Sequence, residues 1–312
     1  VKETEGGKAA STYEVRDVLT SDHDEANFEY YGTTQLALVD FATGKVSSIG
    51  KPGLHLSVRA SPDGYLLVET IHRPYSRVTT YDRFPHEVEV WNRDGQVVKH
   101  VASVPLAESV PIWGVPTGPR EFQWRSTAPA TLIWIEAQDG GDWNTTVPNR
   151  DRVMSWKAPF AGEATEVLRT GMRFGELWWS EAAGVVFVTD YDAIRHWTRL
   201  QLMDFDTPGS APRQVWELST DESYKNPGYP MFRVLPNGFW VVEQEGDTIW
   251  LRGQGASPDG DRPFLDRFDL AFARHFEGLE RVVAALLAEI PDDWLRAAAA
   301  RLMSDEEKAR VE

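Results

Sequence analysis

The chain has 312 residues, 42% hydrophobic and 12% aromatic, enough to bury the core of one large domain or two ordinary ones. Its 48 acidic against 32 basic residues give a net charge of −16, which repels phosphate backbones and anionic lipid, so no nucleic acid and no membrane partner is expected. The absence of cysteine excludes disulfides and thiolate metal sites and leaves the compartment unknown.

The stretch 1–11 is polar and reads as a frayed lead-in; no charged-then-apolar leader precedes the fold, so a targeting segment is expected to have been removed or never included. Between Tyr13 and Tyr31 a short helix is expected, with Ser21 as its cap and Asp22, Asp24 and Glu25 in the first turn. Adjacent residues on a helix point in different directions, so Asp22-His23-Asp24-Glu25 reads as a solvated cap rather than a metal site.

Strand patterns follow. Gln35 to Asp40 alternates, Ala42-Thr43-Gly44 turns the chain, and Lys45 to Ile49 returns as the second arm of a hairpin. His55 to Arg59 leads into Ser61-Pro62-Asp63-Gly64, where Pro presets φ and Gly takes the left-handed position, and Tyr65 to Ile71 returns. Four consecutive antiparallel strands of this kind make one blade of a β-propeller, allowing for where the blade boundary falls. The strand, turn, strand pattern recurs at 122–135, 177–188 and 232–242, at intervals of roughly 55 to 65 residues, with partner strands at Val88 to Asn92, Arg152 to Lys157, Thr198 to Asp204 and Thr248 to Arg252. The expected fold is all-β: a partial β-propeller of about four to five blades over 34–270, with 1–33 as a lead-in carrying the short helix.

Two connections are dense in groups that bind. One runs through His72, Arg73, Tyr75, Arg77 and Arg83, the other through Arg195 and His196; both read either as binding loops or as side chains that close polar gaps between blades. Arg150 and Arg152 flank Asp151 just before a strand and read as an inter-blade ion pair. The run from Glu136 to Asp142 has the composition of a calcium loop but lacks the closing bidentate Glu, so a strand-ending turn is expected.

No Gly-x-Ser-x-Gly, His-Glu-x-x-His or Gly-rich phosphate loop occurs, so no catalytic residue, metal or cofactor is assigned. Beyond 270 the composition turns rich in Ala, Leu and Glu. Leu279, Val282, Val283, Leu286 and Leu287 fall at helical spacing, Pro291 breaks the run, and Asp292 or Asp293 can cap a second helix through Leu302, so 271–312 is expected to form an amphipathic helical hairpin.

Several runs together resemble the propeller of the prolyl oligopeptidase family, glutamyl endopeptidase branch. They are Asp24 to Tyr31, Gln35 to Asp40, Ser61-Pro62-Asp63-Gly64, Ile71 to Ser76, Arg83-Phe84-Pro85, Glu136 to Asp142, Arg150 to Val153 and Gly253 to Arg267, in the family's order across roughly 12–270. The C-terminal tail is not of that family. The resemblance implies a serine peptidase that cleaves after Glu, in which a propeller gates peptide substrates and a following α/β-hydrolase domain carries Ser, Asp and His. That domain is missing here, so the chain is expected to be inactive alone. His72, Arg73, Tyr75, Arg77, Arg83, Arg150, Arg195 and His196 become candidates for facing the substrate or the hydrolase domain. The alternative is a stand-alone propeller-type interaction module. In either case open propeller edges imply self-association.

Overall fold

The computed structural model describes residues 17–182 and 184–270; the expected lead-in at 1–11 and the helical hairpin at 271–312 lie outside the described residues. Within them the chain is mostly antiparallel β-sheet with one α-helix. The helix, α1 (Asp22–Gly32), begins where its cap predicts: Ser21 is extended and its hydroxyl accepts from the Asp24 amide. No residue of α1 is buried.

Next comes a separate hairpin, β1 (Ala37–Val39) and β2 (Val46–Ser48). Three meanders of four strands follow. The first comprises β3 (Leu54–Ala60), β4 (Leu66–Ile71), β5 (His86–Trp91) and β6 (Val97–Val104). The second comprises β7 (Pro119–Trp124), β8 (Thr131–Ala137), β9 (Asp151–Lys157) and β10 (Thr165–Thr170). The third comprises β11 (Arg173–Trp179), β12 (Val185–Asp192), β13 (Trp197–Asp204) and β14 (Arg213–Ser219).

The remaining strands are shorter. β15 (Tyr229–Pro230) and β18 (Gln244–Glu245) pair in tandem with β19 (Thr248–Gly253), which also pairs with β20 (Phe264–Asp269). Between them β16 (Phe232–Val234) and β17 (Trp240–Val242) form a hairpin of their own, joined to the third sheet by a parallel bridge from Val242 to Ser180.

The grouping corrects one expectation. The four strands read as a unit from 35 to 74 are two pairs in different sheets, because β3 and β4 hydrogen-bond onward to β5 and β6 and not back to β1 and β2. The turns at 40–44, 61–64 and 92–95 draw on the same Asp or Asn and Gly chemistry, so the turns alone do not reveal where one sheet stops. The Ser61 to Gly64 turn shows that chemistry at work: Gly64 takes φ +92°, the Tyr65 amide donates to Ser61 Oγ at 2.9 Å, and Asp63 Oδ1 also accepts from the Ala130 amide of the second sheet at 3.0 Å.

The sheets stack in series, and the middle strands show how. Along β8, Leu132 and Trp134 join a core with Leu67, Val88 and Val90 of the first sheet, while Ile133 and Ile135 join a second core with Val186 and Val188 of the third. Along β12 the same alternation sends Phe187 the other way, to Ile249 and Leu251 of β19. On the far side of the first sheet, Leu66 and Val68 pack with Ile49 and Trp91 beside the β1–β2 hairpin. A strand covered on both faces has no place for alternate polar residues, which is why 131–135 is buried throughout.

Replacing Ile133, fully buried at 0% exposure, with Ala is expected to lower the unfolding free energy by about 2–5 kcal/mol in urea titrations followed by tryptophan fluorescence. A loss below about 1 kcal/mol would show that β8 is not enclosed on both faces.

Candidate functional site

The meanders carry their long connections at one end. The β4–β5 segment (72–85), the β6–β7 segment (105–118), the β8–β9 segment (138–150) and the β12–β13 turn (193–196) all emerge there. All eight residues singled out from the sequence lie on these connections, but they fall into separate groups.

The first group fastens α1. Arg73 donates to Glu25 at 2.6 Å and to Glu29 at 2.7 Å, Arg77 pairs with Asp22 and with Glu25, and Tyr75 donates its hydroxyl to Glu29 at 2.8 Å. Phe28 of α1 sets its ring edge-on to Tyr75 and Phe84. The hydrogen bonds from Arg73 and Tyr75 hold the Glu29 carboxyl below its ordinary value of 4.5. Hydrogen bonds from Thr20 and Ser21 take Asp24 from 3.8 to about 2. His72 turns away, with Nδ1 2.7 Å from the Arg73 carbonyl and Nε2 3.3 Å from Glu87. Arg83 is half-buried and has no side-chain partner among the described residues.

The second group is buried. Arg173, at 0% exposure, reaches Asp151 at 2.8 Å with one nitrogen and Asp139 with the other. Asp151 Oδ1 also accepts from Arg120 at 2.9 Å, and its Oδ2 accepts from the Phe174 amide at 2.7 Å. Asp139 in turn accepts from Arg150 at 2.9 Å and from the Gly141 amide. Gly141, at φ +78°, has the carbonyl oxygen of Val115 only 2.0 Å from where a Cβ would sit, so a side chain there would push the loop off the ion-pair cluster.

Arg150 is thus an internal tie, its guanidinium 4.5 Å over the Trp143 ring, and the acidic 136–142 run is a turn whose Asp139 is committed to arginines. Asp151 bonds Arg173 of the next sheet, as an inter-sheet ion pair requires. Arg120 and Arg173 are missing from the sequence-based set. The only signal for them is positional: each stands at or next to the start of the first strand of a meander.

The third group is exposed. Arg195 lies 5.5 Å from the Trp197 ring centre, and His196, at φ +53°, sets Nδ1 2.9 Å from Asp221.

No catalytic relay is assembled among the described residues. The nearest arrangement is Ser103, His100 and Glu87, where the hydroxyl donates to Glu87 at 2.7 Å. The same His100 nitrogen, Nε2, faces both oxygens, so the ring cannot pass a proton from one to the other. Among the described residues no group of His, Asp or Glu is arranged to hold a metal, and no helix is long and apolar enough to cross a membrane.

The described residues define an antiparallel-sheet protein with long connections gathered at one end. Comparison with known proteins narrows the class. A rice (Oryza sativa subsp. japonica) protein named "Probable glutamyl endopeptidase, chloroplastic" is 38% identical over 266 residues, covering 82% of this chain and 28% of the rice protein. The protein of the same name in Arabidopsis thaliana is 38% identical over 267 residues, covering 82% and 27%. These alignments support a prolyl-oligopeptidase-like relation, and the chain spans little more than a quarter of the relatives' length. No protein-family model matches. The solved acylaminoacyl peptidase of Pyrococcus horikoshii aligns at 10% identity and TM-score 0.36 over 76% of this chain and 41% of its own, a superposition too loose to assign a fold.

Two outcomes follow from the site geometry. Asp151→Ala removes the carboxylate that two buried guanidinium groups, Arg120 and Arg173, share and is expected to cost about 3–5 kcal/mol in urea unfolding. For α1, a carboxylate whose folded pKa is depressed contributes stability present above its ordinary value of 4.5 and lost as pH falls through the lower folded value. Hydrogen-exchange protection of amides 22–32 is therefore expected to fall as pH drops below 4.5, and protection unchanged on acidification would show that Glu29 does not anchor the helix.

Proposed function

We propose that the chain is the propeller portion of a serine peptidase of the glutamyl endopeptidase branch, with 34–270 as the stacked-sheet body, 1–33 as its lead-in and 271–312 as an added helical tail. In this reading the sheets act as blades that restrict access to a reaction chamber, and bond cleavage belongs to an α/β-hydrolase domain that supplies Ser, Asp and His. The observation that carries it is the 38% identity to two proteins named glutamyl endopeptidase, sustained over 82% of the chain. Support comes from the series of four-stranded meanders, each packed on the next, which is the local architecture of propeller blades. The absence of Gly-x-Ser-x-Gly from the sequence is consistent with a gating rather than a cleaving part.

The partners of this reading are the hydrolase domain and peptide substrates, with self-association through open sheet edges as the expected behaviour without the hydrolase domain. The test is to treat the purified chain with a fluorophosphonate serine probe and with Glu-containing fluorogenic peptides, alone and co-expressed with an α/β-hydrolase domain of a glutamyl endopeptidase. No labelling and no turnover are expected from the chain alone, and co-purification is expected with the hydrolase domain. A labelled serine within 1–312, or a hydrolase domain that does not bind, would remove the proposal.

A further inference from the structure

The three meanders are packed on both faces, but the last sheet, built on β19 and β20, is packed on one. Ile249 and Leu251 of β19 and Phe268 of β20 turn toward the third sheet and join its core. Alternation sends Trp250 and Arg252 to the opposite face, where cross-strand pairing sets Arg267 beside Trp250, and Tyr229 and Leu265 on either side of Arg252. None of these side chains belongs to a core cluster of the described residues. Tyr229 is 62% exposed and Leu265 57%, so apolar surface is left open to water.

The same face carries positive charge. Arg252 has no side-chain partner among the described residues, and Arg267 donates to Thr248 Oγ1 at 3.3 Å. The acid on this face, Asp269, stands at the end where the chain leaves β20 and is already engaged. Leu270, 1% exposed, is fixed there by a bond from its amide to the Asp247 carbonyl at 2.7 Å, so residue 271 starts at one end of the open face. Phe272, Phe276, Leu279, Val283, Leu286 and Ile290 then follow at helical spacing, and Glu280 and Glu289 flank that stripe on opposite sides. A helix over 272–290 reaches about 28 Å. A six-residue strand reaches ~20 Å, so such a helix can run back along β20 and cover the face from end to end.

We propose that the segment 272–290 folds back as a helix on the open face of the last sheet, its apolar stripe over Tyr229, Trp250 and Leu265 and its flanking acids toward Arg252 and Arg267. The occupant follows from the tether, because a segment joined to β20 itself meets this face at far higher local concentration than a second copy does. The inference rests on the helical spacing and the open face and not on the peptidase reading above.

The cysteine-free sequence allows a direct test by disulfide trapping in the full chain. Leu265→Cys is combined in turn with Val283→Cys and Leu286→Cys, on the stripe, and with Arg281→Cys and Ala288→Cys, on the opposite side of the helix. Mild oxidation is followed on non-reducing gels with peptide mapping. Bonds within one chain are expected to form at least about tenfold faster at the stripe positions, where the side chains can approach closely enough. Adding Arg252→Glu and Arg267→Glu to the Leu265→Cys, Val283→Cys protein is expected to slow the bond about fivefold, as the loss of two exposed charge pairs would. Equal rates at all four tail positions, or no bond at any of them, overturns the docked helix. A bond between chains gives the face to a second copy instead, and a rate indifferent to the two arginines removes the charge pairing. The serine-probe experiment reads none of these contacts, so failure of the peptidase reading is seen separately.

Discussion

Arg173 is the constraint on which the middle of the molecule depends. A guanidinium with no solvent exposure is tolerable only if carboxylates meet it, and Asp139 and Asp151 come from the two ends of the β8–β9 connection to do so. Those contacts fix three things together: the path of the 138–150 loop, the start of β9 and the start of β11. Hydrophobic packing holds the same two sheets face to face through Ile133, Val153, Phe174 and Val186, but oily contacts are indifferent to small slides. The ion pairs remove that freedom.

The helix is held on different terms. None of its residues is fully buried, so apolar transfer contributes little beyond the Phe28 ring, and its position follows from charge pairs between two exposed arginines and the half-buried Glu25 and Glu29, which water and salt reach from the arginine side. The sequence shows half of this arrangement. Ser21 and the acids behind it announce the helix, whereas nothing local reveals that Glu25 and Glu29 are spoken for by Arg73 and Arg77, some fifty positions away.

The same divide runs through the rest of the chain. Strands and turns are legible because their signals are local: Ser61 to Gly64 specifies its own bend, and β5, β9, β13 and β19 fall where partner strands are expected. Grouping is not legible, since whether β4 continues to β5 depends on main-chain pairing that leaves no mark in the turn residues. The candidate residues divide likewise. Arg and His in long connections are conspicuous, and those connections do share one end of the sheets, yet Arg150 is an internal tie and Arg73 and Arg77 serve the helix. Arg120 and Arg173 escape notice because an arginine at a strand start looks like an ordinary surface residue until a neighbouring sheet covers it.

One small detail governs how the body can flex. Only Gly171 and Met172 separate β10 from β11, and the Met172 amide is itself tied to Asp190. So short a tether beside the Arg173 clamp leaves the second and third meanders little room to slide past one another. Before β7 the chain crosses from one sheet to the next over a far longer span, 105–118, and there the shared core of Leu67, Val88 and Leu132 fixes the register in place of a short link.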